Sequence, residues 1–192
     1  QRRLRGTARL EVENLSGTET LVLDTESLTI QSGKLGDVVP VTWSFGAASS
    51  WGTPLRIPVA PETRFVTIEY ETSPTASGLL WNTAQQSFGR QQPYLYSQNE
   101  PVSARSWIPL QDTPAVRVTY DATLRVPAGL HALMSAGNNA IAANETGVYT
   151  FSIPYWIPPY LIGLGVARLE FHSFDSRTGV YAEPDLIEDA VH

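Results

Sequence analysis

From Val116 to Val126 the chain alternates without a break. Val116, Val118, Tyr120, Ala122, Leu124 and Val126 fall on one side, and Arg117, Thr119, Asp121, Thr123 and Arg125 on the other. Successive side chains of an extended backbone point to opposite faces, so this run buries one face and wets the other only as a β-strand. Arg64 to Tyr70 repeats the pattern with Val66, Ile68 and Tyr70 against Thr67 and Glu69, and Gly147 to Ile153 does so with Tyr149, Phe151 and Ile153. Shorter strand candidates are Ala8–Val12, Leu21–Asp24, Leu28–Gln31, Pro40–Phe45, Leu55–Val59 and Ile162–Phe171. Turn chemistry separates them: Ser32-Gly33, Ala60-Pro61, Pro127-Ala128-Gly129 and Gly137-Asn138-Asn139. Many short strands with close turns predict an all-β fold of saddle-shaped or sandwich-like antiparallel sheets. Only the tail reads as a short C-terminal helix, opening at Glu183-Pro184-Asp185 with Leu186, Ile187 and Val191 as its apolar stripe.

Fourteen prolines are compatible with so many strands only where no ladder hydrogen bond is lost, and most fall between the candidates. Pro154, Pro158 and Pro159 bracket Tyr155, Trp156 and Ile157, which read as a packed corner rather than a peptide-binding groove. A chain of 192 residues, 42% hydrophobic, can bury a core, and residues 1–192 are expected to form a single domain. Tyr160 to Ala167, the most apolar run, is far short of the roughly 20 residues of a bilayer span, so no membrane span is expected.

Thirteen basic against nineteen acidic residues give a net charge of -6, and basic residues cluster only at the QRRLR start. A surface that tracks nucleic-acid phosphates is therefore excluded. The absence of cysteine removes disulfides, thiolate metal sites and a cysteine nucleophile. His131, His172 and His192 are too scattered for a metal site, and no H-E-x-x-H motif is present, so no metal ligand or catalytic residue is assigned in this segment. His131 reads as a turn-proximal polar residue. Neither a G-x-S-x-G elbow nor a glycine-rich phosphate loop occurs. Glu100 and Asp112 are the nearest carboxylate pair in a plausible loop, but Asp112 is better explained as the turn-former of Asp-Thr-Pro.

The stretch YLYSQNEPVSARSWIPLQDTPAVRVTY (94–120) carries the remaining polar chemistry. On residue type alone, Gln98 and Glu100 are ordinary solvated loop residues. The order YLYSQNE, then Arg105, then the DTP turn resembles the N-terminal domain of the gluzincin zinc aminopeptidases, in the leukotriene hydrolase-like branch. LVLDTESLTI (21–30), IEYETSP (68–74), SGLLW (77–81), ALMSA (132–136), IPPYLIGLGV (157–166) and VYAEPDLIEDAV near the end extend the likeness over nearly the whole chain. The chain departs from the family at Asn99, where cysteine is frequent, at Pro101, at Ser103 and at Tyr181.

What the resemblance implies is an N-terminal β domain of a metallo-aminopeptidase, whose loop reaches the cleft and contacts the free amino terminus of the peptide substrate through Gln98 and Glu100. Alternate residues of an extended segment share a face, and a carboxylate beside a carboxamide suits an ammonium group. Arg105 and Asp112 are then expected to pin the loop. Zinc and the catalytic base would belong to a downstream catalytic domain, the second partner implied, with residues 183–192 opening the link to it. The likeness also implies a first strand upstream of Gln1 and a segment inactive by itself; the compartment is left open, with a soluble cytoplasmic or periplasmic protein expected. A different class remains open beside it, a stand-alone β-sandwich binding or adhesion module. An H-E-x-x-H motif downstream of His192 separates the two readings.

Overall fold

The structure is a computed structural model that describes residues 2–137 and 144–192. The turn expected at Gly137-Asn138-Asn139 lies, past Gly137, outside the described residues. The chain resolves into two compact units, Gln1–Leu79 with Asn99–Val116, and Leu80–Gln98 with Arg117–His192.

The first unit holds β1 (Arg5–Glu11), β2 (Thr20–Thr25), β3 (Thr29–Leu35), β4 (Val39–Pro40), β5 (Ser44–Phe45), β6 (Thr53–Pro58) and β7 (Phe65–Glu71). They make two antiparallel sheets, in the orders β1-β7-β3-β4 and β2-β6-β5. The alternation in β7 turns Val66, Ile68 and Tyr70 inward, where they share one core with Leu23, Leu55 and Ile57 of the other sheet and with Leu28. Two sheets are thus joined through one apolar layer, as in a sandwich, and each fully buried aliphatic side chain contributes about 1.5–3 kcal/mol. Tyr70 needs room for its ring, and Gly6, its cross-strand partner, supplies it: a Cβ there would stand 2.7 Å from Tyr70 Cζ. At the end of the same ladder, Arg3 and Arg5 both donate to the Glu71 carboxylate. These two guanidiniums, Arg3 first, hold the Glu71 carboxyl below the ordinary glutamate range against the opposing effect of desolvation.

Residues 99–116 fold against the β2 side of this unit. Asp24 N–H donates to Leu110 O at 2.7 Å and Glu26 N–H to Arg105 O at 3.0 Å. Arg105 and Asp112, 7% and 1% exposed, form a buried ion pair. Asp112 Oδ2 accepts both the backbone N–H of Arg105 at 3.0 Å and its Nε at 3.1 Å. The remaining guanidinium nitrogens donate to Trp51 O at 2.6 Å and to Asp112 O at 2.5 Å. Asp24 completes the arrangement, its Oδ2 accepting the Asp112 N–H at 2.8 Å. Asp112 Oδ1 is buried without a hydrogen-bond partner among the described residues, so compensation of this anion rests on the Arg105 side.

The second unit carries the rest: β8 (Leu79–Asn82, entered from the first unit at Leu79), β9 (Tyr94–Ser97), β10 (Val118–Arg125), β11 (His131–Met134), β12 (Val148–Ile157), β13 (Leu164–Ala167), β14 (Glu170–Ser173), β15 (Gly179–Ala182) and α1 (Ile187–Val191). Its sheets run β11-β13-β9-β8, β10-β12 and β14-β15. The structure is mostly antiparallel β with one short C-terminal helix, and among the described residues no helix is long and apolar enough to cross a membrane.

Several elements differ from the sequence reading. Pro40–Phe45 is two two-residue strands, and Ile162–Phe171 breaks at Arg168-Leu169 into β13 and β14. Pro154 lies inside β12, where the register shifts: Tyr120 faces Ile153, yet Val118 faces Ile157. The extra residues bulge out of the ladder, so the missing proline N–H costs no hydrogen bond. Tyr155 and Trp156, on that bulge, are 74% and 67% exposed, so this corner is not packed within the chain. The tail helix begins at Ile187, after a turn through Pro184, in place of a start at Glu183-Pro184-Asp185.

Replacing Asp112 by alanine leaves the buried guanidinium with only the more exposed Asp24, its Oδ1 at 3.8 Å, as counter-ion, and is expected to lower unfolding stability by about 3 kcal/mol in urea titrations. Asp37→Ala, which removes the exposed Arg9–Asp37 pair, should barely move the midpoint. For Glu71 the folded pKa is lowered, so its stabilising effect is complete above the unfolded value of about 4.3 and fades as pH falls through the folded value. The difference between wild type and Glu71→Gln in urea midpoint should accordingly be present at neutral pH and vanish in acid.

Candidate functional site

β9 leads into the candidate loop. Its neighbour β13 fixes its height, with Leu95 opposite Val166 and Tyr96 opposite Gly165, and the Ser97 hydroxyl accepts the Leu164 N–H at 2.8 Å. Leu95 is buried and Tyr96 exposed, and the alternation continues past the strand: Gln98 is exposed, Asn99 is 3% exposed, and Glu100 is exposed. The boundary between the two compact units falls in the chain between Gln98 and Asn99. A cis peptide bond joins Glu100 to Pro101.

Asn99 is the inward anchor. Its Oδ1 accepts the Trp107 indole N–H at 2.8 Å, and its carbonyl accepts the Ser103 N–H at 2.7 Å. Trp107 is itself buried, next to a single 3-10 turn at Ala104–Ser106. Ser106 Oγ accepts the Gly78 N–H at 2.8 Å and donates to Ser103 O at 2.7 Å. Gly78 is obligatory for this approach, because a Cβ at that position would lie 2.4 Å from Ser103 O and 2.9 Å from Asn99 Oδ1. Side chains at 99, 106 and 107, with the backbone of 103, thus hold the loop from beneath, and the Arg105–Asp112 pair closes it from the far end.

The two residues expected to meet an amino terminus are therefore exposed on either side of a buried one. Asn99, a departure from the family by its residue type, faces the interior, so that difference alters the packing under the loop rather than its outer face. Asp112, weighed as half of a carboxylate pair with Glu100, is 1% exposed and committed to Arg105, which removes it from any catalytic pairing. The anchoring roles of Asn99, Trp107 and Gly78 escaped the sequence reading. Gly78, between Ser77 and the apolar Leu79-Leu80-Trp81, was the one visible signal of a close backbone approach.

Among the described residues no group of three or more His, Asp or Glu side chains is placed to hold a metal ion. His131, two residues past the turn at Ala128-Gly129, is the buried first residue of β11. Its Nδ1 accepts the Leu169 N–H at 3.4 Å, and its ring meets Tyr181 edge-on at 6.2 Å. His172 is exposed on β14, with Phe174 at 5.6 Å. These residues do not fit a zinc site.

Comparison with known proteins places this geometry in a family. The description Peptidase M1 N-terminal domain matches residues 1–161. Leukotriene A-4 hydrolase of Xenopus laevis is 36% identical over 183 residues, covering 90% of this chain and 30% of that protein. Aminopeptidase B of Mus musculus is 34% identical over 206 residues, covering 98% of this chain and 31% of that protein. Among solved structures, leukotriene A4 hydrolase from Saccharomyces cerevisiae superimposes with a TM-score of 0.85 at 28% identity, over 98% of this chain and 30% of its own. An M1 zinc metallopeptidase from Deinococcus radiodurans shares the fold, with a TM-score of 0.69 at 23% identity over 93% of this chain and 42% of its own. The chain thus spans about 30% of the length of the curated relatives named here. With its matched residues running from the first strand to the turn before β13, and with its sheets superimposing on those of a leukotriene hydrolase, the chain belongs to the peptidase M1 N-terminal domain family.

Proposed function

We propose that residues 1–192 act as the non-catalytic N-terminal domain of a zinc aminopeptidase that removes N-terminal residues from peptides. In this reading the loop after β9 forms an edge of the substrate cleft and recognises the substrate's free amino terminus. The observation that carries it is the exposure of Gln98 and Glu100 about a buried, hydrogen-bonded Asn99, in a loop fastened by a buried ion pair. A site that must select one charged group works best when its polar atoms do not have to be ordered on binding. The Asn99, Ser106 and Arg105 anchors supply that order in advance. Glu100 offers a carboxylate to the ammonium and Gln98 a carboxamide oxygen, so the amine's several N–H donors have acceptors.

Peptide bond cleavage requires groups that the described residues do not assemble. Zinc, its ligands and the general base are assigned to a catalytic domain of the parent protein, where the metal would activate water. The names of the relatives support this division of labour, since they are a hydrolase and an aminopeptidase that extend well beyond the region matched here.

Purified by itself, the 192-residue chain is expected to retain no stoichiometric zinc and to leave aminoacyl reporter substrates uncleaved. Metal analysis and a fluorogenic assay check both, and turnover with bound zinc would contradict the assignment. In the full-length parent, Glu100→Ala should lower kcat/KM for free-amine peptides by about 10- to 150-fold, the equivalent of a lost charge-assisted hydrogen bond of roughly 1.5–3 kcal/mol. The same peptide with its amine acetylated, hydrolysed poorly by both proteins, should be nearly insensitive to the substitution.

A further inference from the structure

Beyond the loop that Gln98 opens, the second unit has a shallow cavity, open to solvent, of about 340 Å³ lined by Asn82, Gln86, Ser87, Tyr94, Tyr96 and Glu183. That volume sits at the small end of the range for ligand pockets, about 300–1,000 Å³, and suits one side chain better than a cofactor. Its chemistry is one-sided. Tyr94 and Tyr96 meet edge-on, with ring centroids 5.8 Å apart at 74°, so the ring planes stand nearly at right angles. Glu183 is the charged residue among those six, and none of them is basic.

The Glu183 carboxylate is held in place. Its Oε2 accepts the Phe88 N–H at 2.7 Å, and its own carbonyl accepts the Leu186 N–H at 2.8 Å. Burial pushes the Tyr94 phenol above its ordinary range, and the Glu183 charge, with Tyr96, pushes it further, which keeps that ring neutral. Two aromatic rings beside an oriented carboxylate, on a chain of net charge -6, form an environment for a cation. A planar guanidinium uses both elements at once, stacking on a ring while it donates to the carboxylate.

We propose that this cavity binds the guanidinium group of an arginine side chain presented by a peptide or protein partner. The proposal does not rest on amine recognition at Gln98 and Glu100 and stands whether or not that reading holds. Its probe is Nα-acetyl-arginine methylamide, whose blocked amine removes the ammonium that those two residues would bind. Titrated into the 15N-labelled 192-residue chain, it should shift the amides of Phe88, Tyr94, Tyr96 and Glu183. The neutral isostere Nα-acetyl-citrulline methylamide should bind at least about tenfold more weakly, a difference of one decade in Kd. Glu183→Gln keeps an oxygen for the Phe88 N–H and should weaken the arginine probe by a similar factor. Tyr96→Ala, at an exposed strand position, should do the same. Equal affinity for arginine and citrulline, shifts confined to residues outside the cavity, or wild-type binding by both variants would overturn the proposal.

Discussion

Residues 99–116 depend on one buried ion pair. Asp112 Oδ2 takes two N–H donors from Arg105, and the guanidinium reaches on to Trp51 O and Asp112 O, while Asp24 receives the Asp112 N–H. Three separate stretches of chain are tied at this point: β2 at Asp24, the turn at Trp51, and residues 99–116. Burying two charges costs several kcal/mol per ion, and a hydrophobic replacement of similar volume often does as well for stability alone. What the pair adds is direction. Each donor has one acceptor at one angle, so the loop has one place to sit, where an apolar plug would tolerate several.

That constraint governs what the loop presents. Working inward from the surface, Glu100 rests on Asn99, Asn99 on Trp107, and the turn carrying Trp107 on Ser106 and Gly78. A glycine at 78 lets the backbone of 103 approach within a distance that any Cβ would forbid. Amine recognition, as proposed, is then a property of the packing underneath as much as of the two exposed side chains. Asn99 itself lies on the buried side, so its identity bears on the packing and not on the exposed face of the loop.

The half-buried strands were legible because a sheet with one wet face writes its geometry directly into residue order. β10 buries on alternate residues along its length, β7 does so up to Tyr70, and β12 does so over its first half. β8, β9, β11 and β15 were not legible. Each has only four residues, and β11 is buried at three of its four positions, so period two has no room to show. Pro154 concealed the second half of β12 for a different reason: a bulge admits proline, and no one-dimensional pattern announces where the partner strand will slip. Gln98 and Glu100 enter the proposal through resemblance, since exposed glutamine and glutamate carry no signal of their own. The cavity beside Tyr94 joins β8, β9 and the stretch before α1, segments some ninety residues apart in the chain, and only the fold brings them together.

As proposed, the fastened loop offers Glu100 to a substrate amine. A crystal structure of the full-length parent with a peptide-like inhibitor bearing a free amino terminus tests it most directly. The Glu100 carboxylate is predicted to lie within hydrogen-bonding distance of the ammonium, about 2.7–3.2 Å, with the Asn99–Trp107 and Arg105–Asp112 contacts unchanged. An ammonium held by other groups, with Glu100 turned to solvent, would contradict it.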